Sequence, residues 1–254
     1  MDSPLSQPLQ SRSAFSATLR NANYAKLLSG QVIAAFGDRI NQTALLSIVV
    51  YVTGDTAKYS ANLMFWAIMP SVVLSPFLVA LIDRWDRQRT MIASDLARAL
   101  LVMSLPVVMR LSHNLNAVYA MVFLIGIFTA LFSPNRLAIL PNLLPRHLLI
   151  SANAISSQAG TVATLVAMPI SGYIVENYGR ETSFLINAYT YLVSAIFIWS
   201  LRPTREGEAI GGTRPPVHAL EDFKGGLRFI WERRPVLFYV TFFGAVQCLV
   251  AIFL

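Results

Sequence analysis

Asp83-Arg84-Trp85-Asp86-Arg87-Gln88-Arg89 is a dense run of charge between two long apolar stretches. Charge at that density is too costly for hydrocarbon, so the run marks a water-facing loop between two membrane spans. Outward from it, apolar runs long enough to cross a bilayer recur along the whole chain. They cover residues 24–51, 61–82, 91–109, 117–140, 151–175 and 182–201, and a seventh begins near Val236 and continues to Leu254. Of 254 residues, 55% are apolar and 13% charged. That is about half the charged fraction of an average soluble domain, and it points to an all-α membrane protein rather than a large soluble core.

The three arginines of the loop also give an orientation. Of the 20 Lys and Arg, only Lys58, Arg110 and Arg180 fall in loops on the far side, and Arg39 and Arg98 fall within spans. All the others share the side of the Arg84 loop, which the positive-inside rule makes cytoplasmic, with the N-terminus. The net charge of +7 is thereby explained by the loops, and no basic stripe suggests nucleic acid as a partner. Residues 1–21 lack the apolar core of a cleavable signal peptide, so the first span is expected to direct insertion itself.

The expected organisation is a cytoplasmic tail (1–22), a six-span bundle (23–202), a basic cytoplasmic connection (203–235) and a seventh span (236–254). Within the connection, Val217, Leu220, Phe223, Leu227, Ile230 and Trp231 recur at helical spacing, which predicts an amphipathic helix on the membrane surface. A plain solvated linker is the alternative.

Ionisable groups inside spans cost about 2.5–3.5 kcal/mol each at the bilayer centre, so they mark sites or buried pairs. Asp38 and Arg39 stand near the middle of the first span. They point about 100° apart on a helix, so each needs its own partner or a wet cavity. Gln31, Asp38, Asn41 and Gln42 repeat at helical spacing and predict one polar stripe facing the bundle interior. That stripe reads as a substrate- or proton-handling surface, or else as a structural hydrogen-bond seam. Asp95 and Arg98, three apart, are placed to pair on one helix face. Gln158 and Asn187 either face a cavity or bond between helices. Ser156, Gly160 and Thr164 in the fifth span, and Gly126 and Ala130 in the fourth, repeat every four residues and predict close helix packing.

Other chemistries lack their residues. No phosphate-binding G-x-x-x-x-G-K-[ST] loop is present. Cys248 is the single cysteine, and His113, His147 and His218 are scattered in loops, so the residues suggest no metal and no cofactor. A seven-helix receptor fits the span count. The inferred orientation argues against it, and the seventh run has no Lys for a retinal Schiff base.

Leu81-Ile82-Asp83-Arg84-Trp85-Asp86-Arg87-Gln88-Arg89, followed by Ala93-Ser94-Asp95-Leu96-Ala97-Arg98, resembles the loop between the second and third spans of major facilitator superfamily transporters. Similar in the same way are Gly30-Gln31 with Gly37-Asp38-Arg39, Ser133-Pro134-Asn135-Arg136, Ser151-Ala152-Asn153-Ala154 and Phe184-Leu185-Ile186-Asn187-Ala188. The branch it resembles holds macrolide-efflux and enterobactin-exporter-like proteins. The sequence departs from the pattern at Val79 and Asp86, where glycine is usual, and at Thr164, Met168 and Tyr173 in the fifth span.

The resemblance implies a six-helix N-terminal bundle of 3+3 inverted repeats plus one further transmembrane helix, working by alternating access. It implies a small-molecule substrate, with a coupling proton as a candidate partner. The cavity candidates, read from the polar and ionisable residues within spans, are Gln31, Asp38, Arg39, Asn41, Gln42, Gln158 and Asn187. The implied inner gate is Asp83, Arg84, Arg87, Arg89, Asp95, Arg98 and Arg136. Efflux of small amphipathic or siderophore-like compounds across a bacterial inner membrane is the leading expectation, with lysophospholipid movement as the alternative. The family needs about twelve spans, so the chain is expected to be an N-terminal piece that pairs with a C-terminal bundle.

Overall fold

A computed structural model describes residues 15–53, 56–82, 85–112, 114–202, 233, 238, 241 and 242. The chain divides into two units, Met1–Gly212 and Thr213–Leu254. In the second, the Phe238 and Phe242 rings stack at 5.8 Å. The amphipathic helix over 217–231 and most of the seventh span lie outside the described residues.

The first unit is all helix among the described residues. It comprises α1 (Ala22–Thr53), α2 (Thr56–Ile82), α3 (Arg87–Ser112), α4 (Leu115–Leu143), a single 3-10 turn (Arg146–Leu148) and the long stretch Leu149–Trp199. Gly179 breaks that stretch, with φ 83° and ψ 168°, and so divides it into α5 (149–178) and α6 (180–199). The result is the six-helix architecture read from the apolar runs. By length and composition α3, α4 and the Arg146–Trp199 stretch qualify as membrane spans, and α2 contributes the apolar segment Tyr59–Leu74. α1 falls short because its polar side chains dilute its apolar content.

The helices run through Pro106, Pro134, Pro141 and Pro169 without ending, as bundled membrane helices can when neighbours satisfy the freed backbone groups. Gly179 is different. Its backbone region is nearly closed to residues with a Cβ, although space around it is open. Gly179→Ala is expected to destabilise the full-length protein by about 1–3 kcal/mol through backbone strain alone. A thermal-unfolding midpoint equal to wild type would show that the turn relaxes at no cost.

Asp86 starts α3. Its carboxylate accepts the Arg89 backbone N–H at 2.8 Å, and its carbonyl accepts from the Thr90 N–H at 2.9 Å and hydroxyl at 2.8 Å. Asp86 thus supplies a helix cap. At the same end, the last carbonyls of α6 receive side-chain donors from other helices. Lys26 donates to Ser200 at 3.1 Å and Gln88 to Ile198 at 2.8 Å, while Asn23 donates to Arg202 just beyond at 3.0 Å. These bonds satisfy orphan acceptors, and Lys26 places one cation at the negative end of the helix dipole. The opposite end is tied by Arg110, which donates to both Glu181 carboxylate oxygens at 2.7 and 2.9 Å, and by Arg180, which donates to Ser47 at 3.0 Å.

Among the described residues most of the core falls into two apolar clusters, with a small third around Ala130. One gathers Ile48, Val102, Leu105, Val122 and Phe184; the other gathers Tyr24, Met91, Ile139, Leu148 and Ile198. On α3, Met91 belongs to one and Ala99 to the other, and Asp95 and Arg98 lie between them.

Candidate functional site

Two polar features stand in the bundle, one closed and one open. The closed one joins α1, α3, α4 and α6. Arg98 donates to Asp95, and both side chains are almost fully excluded from solvent. The Arg98 guanidinium lies between two aromatic faces, 4.6 Å from the Phe132 ring centre and 4.4 Å from that of Tyr191. The Tyr191 hydroxyl donates to Asp38 of α1. Aromatic faces and two carboxylates together offset the cost of burying this cation. Beside the cluster, the Ser194 hydroxyl faces Asp95 and the Asn187 amide faces Tyr191, both outside normal hydrogen-bond geometry.

The closeness of α1 and α6 depends on Gly37. A Cβ there would run into Thr190 Oγ1 and come within 2.5 Å of Asn187 Oδ1. Gly30, two turns earlier, sits against Ser194 and Phe197 in the same way, at 3.2–3.4 Å.

The open feature is a cleft of about 550 Å³ on the other side of α1. α1 contributes Gln31, Ala35 and Arg39, and α4 contributes Arg136. The α5 wall runs from Asn153 through Ser156, Ser157 and Gly160 to Thr161, Thr164 and Leu165. Arg39 also donates to the Gln42 side-chain carbonyl. The Ser156 hydroxyl meets that of the buried Tyr24 at 3.1 Å.

Several sequence readings change here. The polar stripe of α1 does not face one cavity. It runs along the border between the α6 side and the cleft side, so Asp38 leans to Tyr191 while Gln31 turns into the cleft. Asn41 is buried with its carbonyl oxygen unpaired, and Gln42 reaches Met64 of α2 at 3.6 Å. Gln158 is exposed and not part of the cleft lining, and Asn187 belongs to the α1–α6 contact. Ser156, Gly160 and Thr164 do not form a packing seam: they line the cleft, and a Cβ at Gly160 would meet nothing within 4 Å. Gly126 does pack closely, 2.8 Å from Pro70 Cγ by the same measure.

The residues read as an inner gate do not gather in one place among those described. Asp83 and Arg84 lie outside the described residues. Arg87 donates to the Ala138 carbonyl at 2.7 Å, Arg89 is exposed beside Asp86, and Arg136 faces the cleft. Asp95 and Arg98 sit in the closed cluster with Asp38. Tyr191, Phe132, Tyr24 and Asn153 join the two features without a signal in the sequence pattern. The first three look like ordinary apolar lining in a span, and only their partners reveal them.

Comparison with known proteins places this arrangement. The family model of the Major Facilitator Superfamily matches residues 27–254. The chain belongs to the Major Facilitator Superfamily. It is therefore an integral membrane protein of a transporter family, built from the all-α bundle described above. Among curated relatives, a superfamily transporter of Bacillus subtilis strain 168 that is uncharacterised, YfiS, is 26% identical over 211 residues, covering 83% of this chain and 49% of YfiS. BacE of the same strain, named as a proposed bacilysin exporter, is 30% identical over 183 residues, covering 70% of this chain and 43% of BacE. An uncharacterised superfamily transporter of Mycobacterium tuberculosis is 22% identical over 185 residues, 71% of this chain and 42% of its own length. The chain spans about half the length of the curated relatives it matches. Among the described residues no three His, Cys, Asp or Glu side chains gather as a metal site.

Proposed function

We propose that the full-length protein is a secondary active exporter of small amphipathic compounds in a bacterial inner membrane. This chain supplies its N-terminal six-span bundle (23–202), with the N-terminus cytoplasmic, and a partner bundle completes the alternating-access cycle. The observation that carries this reading is the open cleft between α1, α4 and α5, polar and cationic within a bundle of apolar helices. Polar groups inside a membrane bundle are retained at a cost and mark substrate paths. BacE, named as a proposed exporter, supports export as the direction. The excess of Lys and Arg on the Asp83 side supports the orientation.

Gly160 offers a direct test, because it lines the cleft and a Cβ there meets nothing within 4 Å, so a large side chain starts from open space. Gly160→Trp in the full-length protein is expected to abolish gradient-driven uptake of bacilysin and of a panel of amphipathic antibiotics into everted vesicles, where export from the cytoplasmic face is read as accumulation in the lumen. Yield and thermal midpoint are expected to stay at wild-type values. Undiminished efflux by the variant would remove the cleft from the path, and efflux that survives dissipation of the proton gradient would remove the proton as coupling ion.

A further inference from the structure

The charges of the closed cluster and of the cleft do not balance. Set back from the helix ends, α1, α3 and α4 carry two carboxylates, Asp38 and Asp95, and three guanidinium groups, Arg39, Arg98 and Arg136. Both carboxylates make their hydrogen bonds on the closed side, Asp95 with Arg98 and Asp38 with the Tyr191 hydroxyl, and Asp38 also attracts its neighbour Arg39, so two carboxylates are shared among three cations. The cleft holds the other two cations, and among the described residues no Asp or Glu lines it. Among the described residues the neutral Gln42 is the one hydrogen-bond acceptor of the Arg39 side chain, and Arg136 makes no ion pair with a carboxylate. An uncompensated guanidinium within a membrane bundle is costly, and a single bound negative charge would make the count even.

We propose that Arg39 and Arg136 together hold an oxyanion, a carboxylate or a phosphate monoester, at one end of an amphipathic ligand. This deepens the exporter reading and takes its cleft as the site. Guanidinium forks match both oxyanions through paired N–H donors, which an ammonium ion cannot do. The Gln31 and Asn153 amides and the Ser157 hydroxyl add neutral donors, and Ala35 and Leu165 offer apolar wall for the rest of the ligand. A cationic amphipath, by contrast, would enter beside two like charges with no acid to receive it.

The test uses purified full-length protein in nanodiscs of phosphatidylcholine, with dansyl-aminoundecanoate as a fluorescent probe and its methyl ester as the uncharged match. The acid is expected to bind at least about tenfold more tightly than the ester, and Arg39→Gln and Arg136→Gln each to weaken the acid by about tenfold while leaving the ester unchanged. Arg39→Lys is expected to restore only part of the loss. Arg110→Gln, at the opposite end of the bundle, is expected to have no effect and controls for general loss of charge. Equal affinity for acid and ester, or full acid affinity in both glutamine variants, would overturn the assignment. Competition separates the sources of the anion: displacement by lysophosphatidylglycerol but not by lysophosphatidylcholine identifies an anionic lipid. Displacement by dodecanoate or dodecyl phosphate with neither lysolipid acting identifies a soluble amphipathic acid. Probe efflux from proteoliposomes is scored separately. Selective acid binding without efflux sustains the oxyanion site and overturns the exporter reading, whereas efflux of the ester alone does the reverse.

Discussion

Asp95→Ala is expected to destabilise the full-length protein by about 3–5 kcal/mol, because it leaves the Arg98 guanidinium buried without its ion-pair partner. Arg98 cannot shed its proton to escape the penalty, as a lysine could. Nor can it easily reach water, since the Phe132 and Tyr191 rings pack against it and its side chain is almost fully buried. The remaining carboxylate nearby, Asp38, is held by the Tyr191 hydroxyl. The informative control is the pair Asp95→Ala with Arg98→Met, which removes both charges and keeps an extended apolar side chain. It should recover most of the loss, because replacing a buried ion pair by apolar packing is often neutral. Thermal unfolding of the detergent-solubilised protein, read as a double-mutant cycle, checks this. A double variant as unstable as Asp95→Ala alone would show that shape, not charge, is what Asp95 supplies.

Gly37→Leu is expected to cause the second large loss, at least about 1–3 kcal/mol by overpacking and enough to abolish folding if α1 is forced off α6. Even the Cβ overlaps Thr190 and approaches Asn187, and both of those side chains are buried. Gly37→Ala should already destabilise, despite alanine's better helix propensity of about 1 kcal/mol. The same substitution at Gly160, where the Cβ meets nothing, should stabilise slightly. Thr190→Gly is expected to rescue Gly37→Ala in part. Monodisperse yield and thermal midpoint for the set would decide the matter, and equal tolerance at Gly37 and Gly160 would contradict the close α1–α6 approach.

Sequence made some of this legible and hid the rest for physical reasons. Apolar runs and the charged Asp83–Arg89 loop gave the helical bundle, because the bilayer limits what can span it to a few patterns. Asp95 and Arg98 were readable as a pair because their partnership is local, three residues along one helix. The Asp38–Tyr191 bond joins residues 153 apart, and helical spacing says nothing about contacts at that separation. Small residues at four-residue spacing carried the same signal at Gly126, which packs, and at Gly160, which lines a cleft. A missing side chain permits either a close neighbour or an empty space, and only the neighbouring helix decides between them. The α1 stripe failed as one surface because it follows a border, where the side chain rather than the backbone chooses the side.

That border makes α1 mechanically lopsided. Toward α6 it has no slack: glycine seats the backbones together at Gly30 and Gly37, and Asp38 is fastened to Tyr191. Toward α5 the Gln31–Arg39 face has open room in front of it. A push delivered to α1 from the cleft therefore cannot be absorbed by compressing its α6 side. It passes into α6 as displacement, and α1 and α6 behave as one two-stranded lever with the cleft at its working edge.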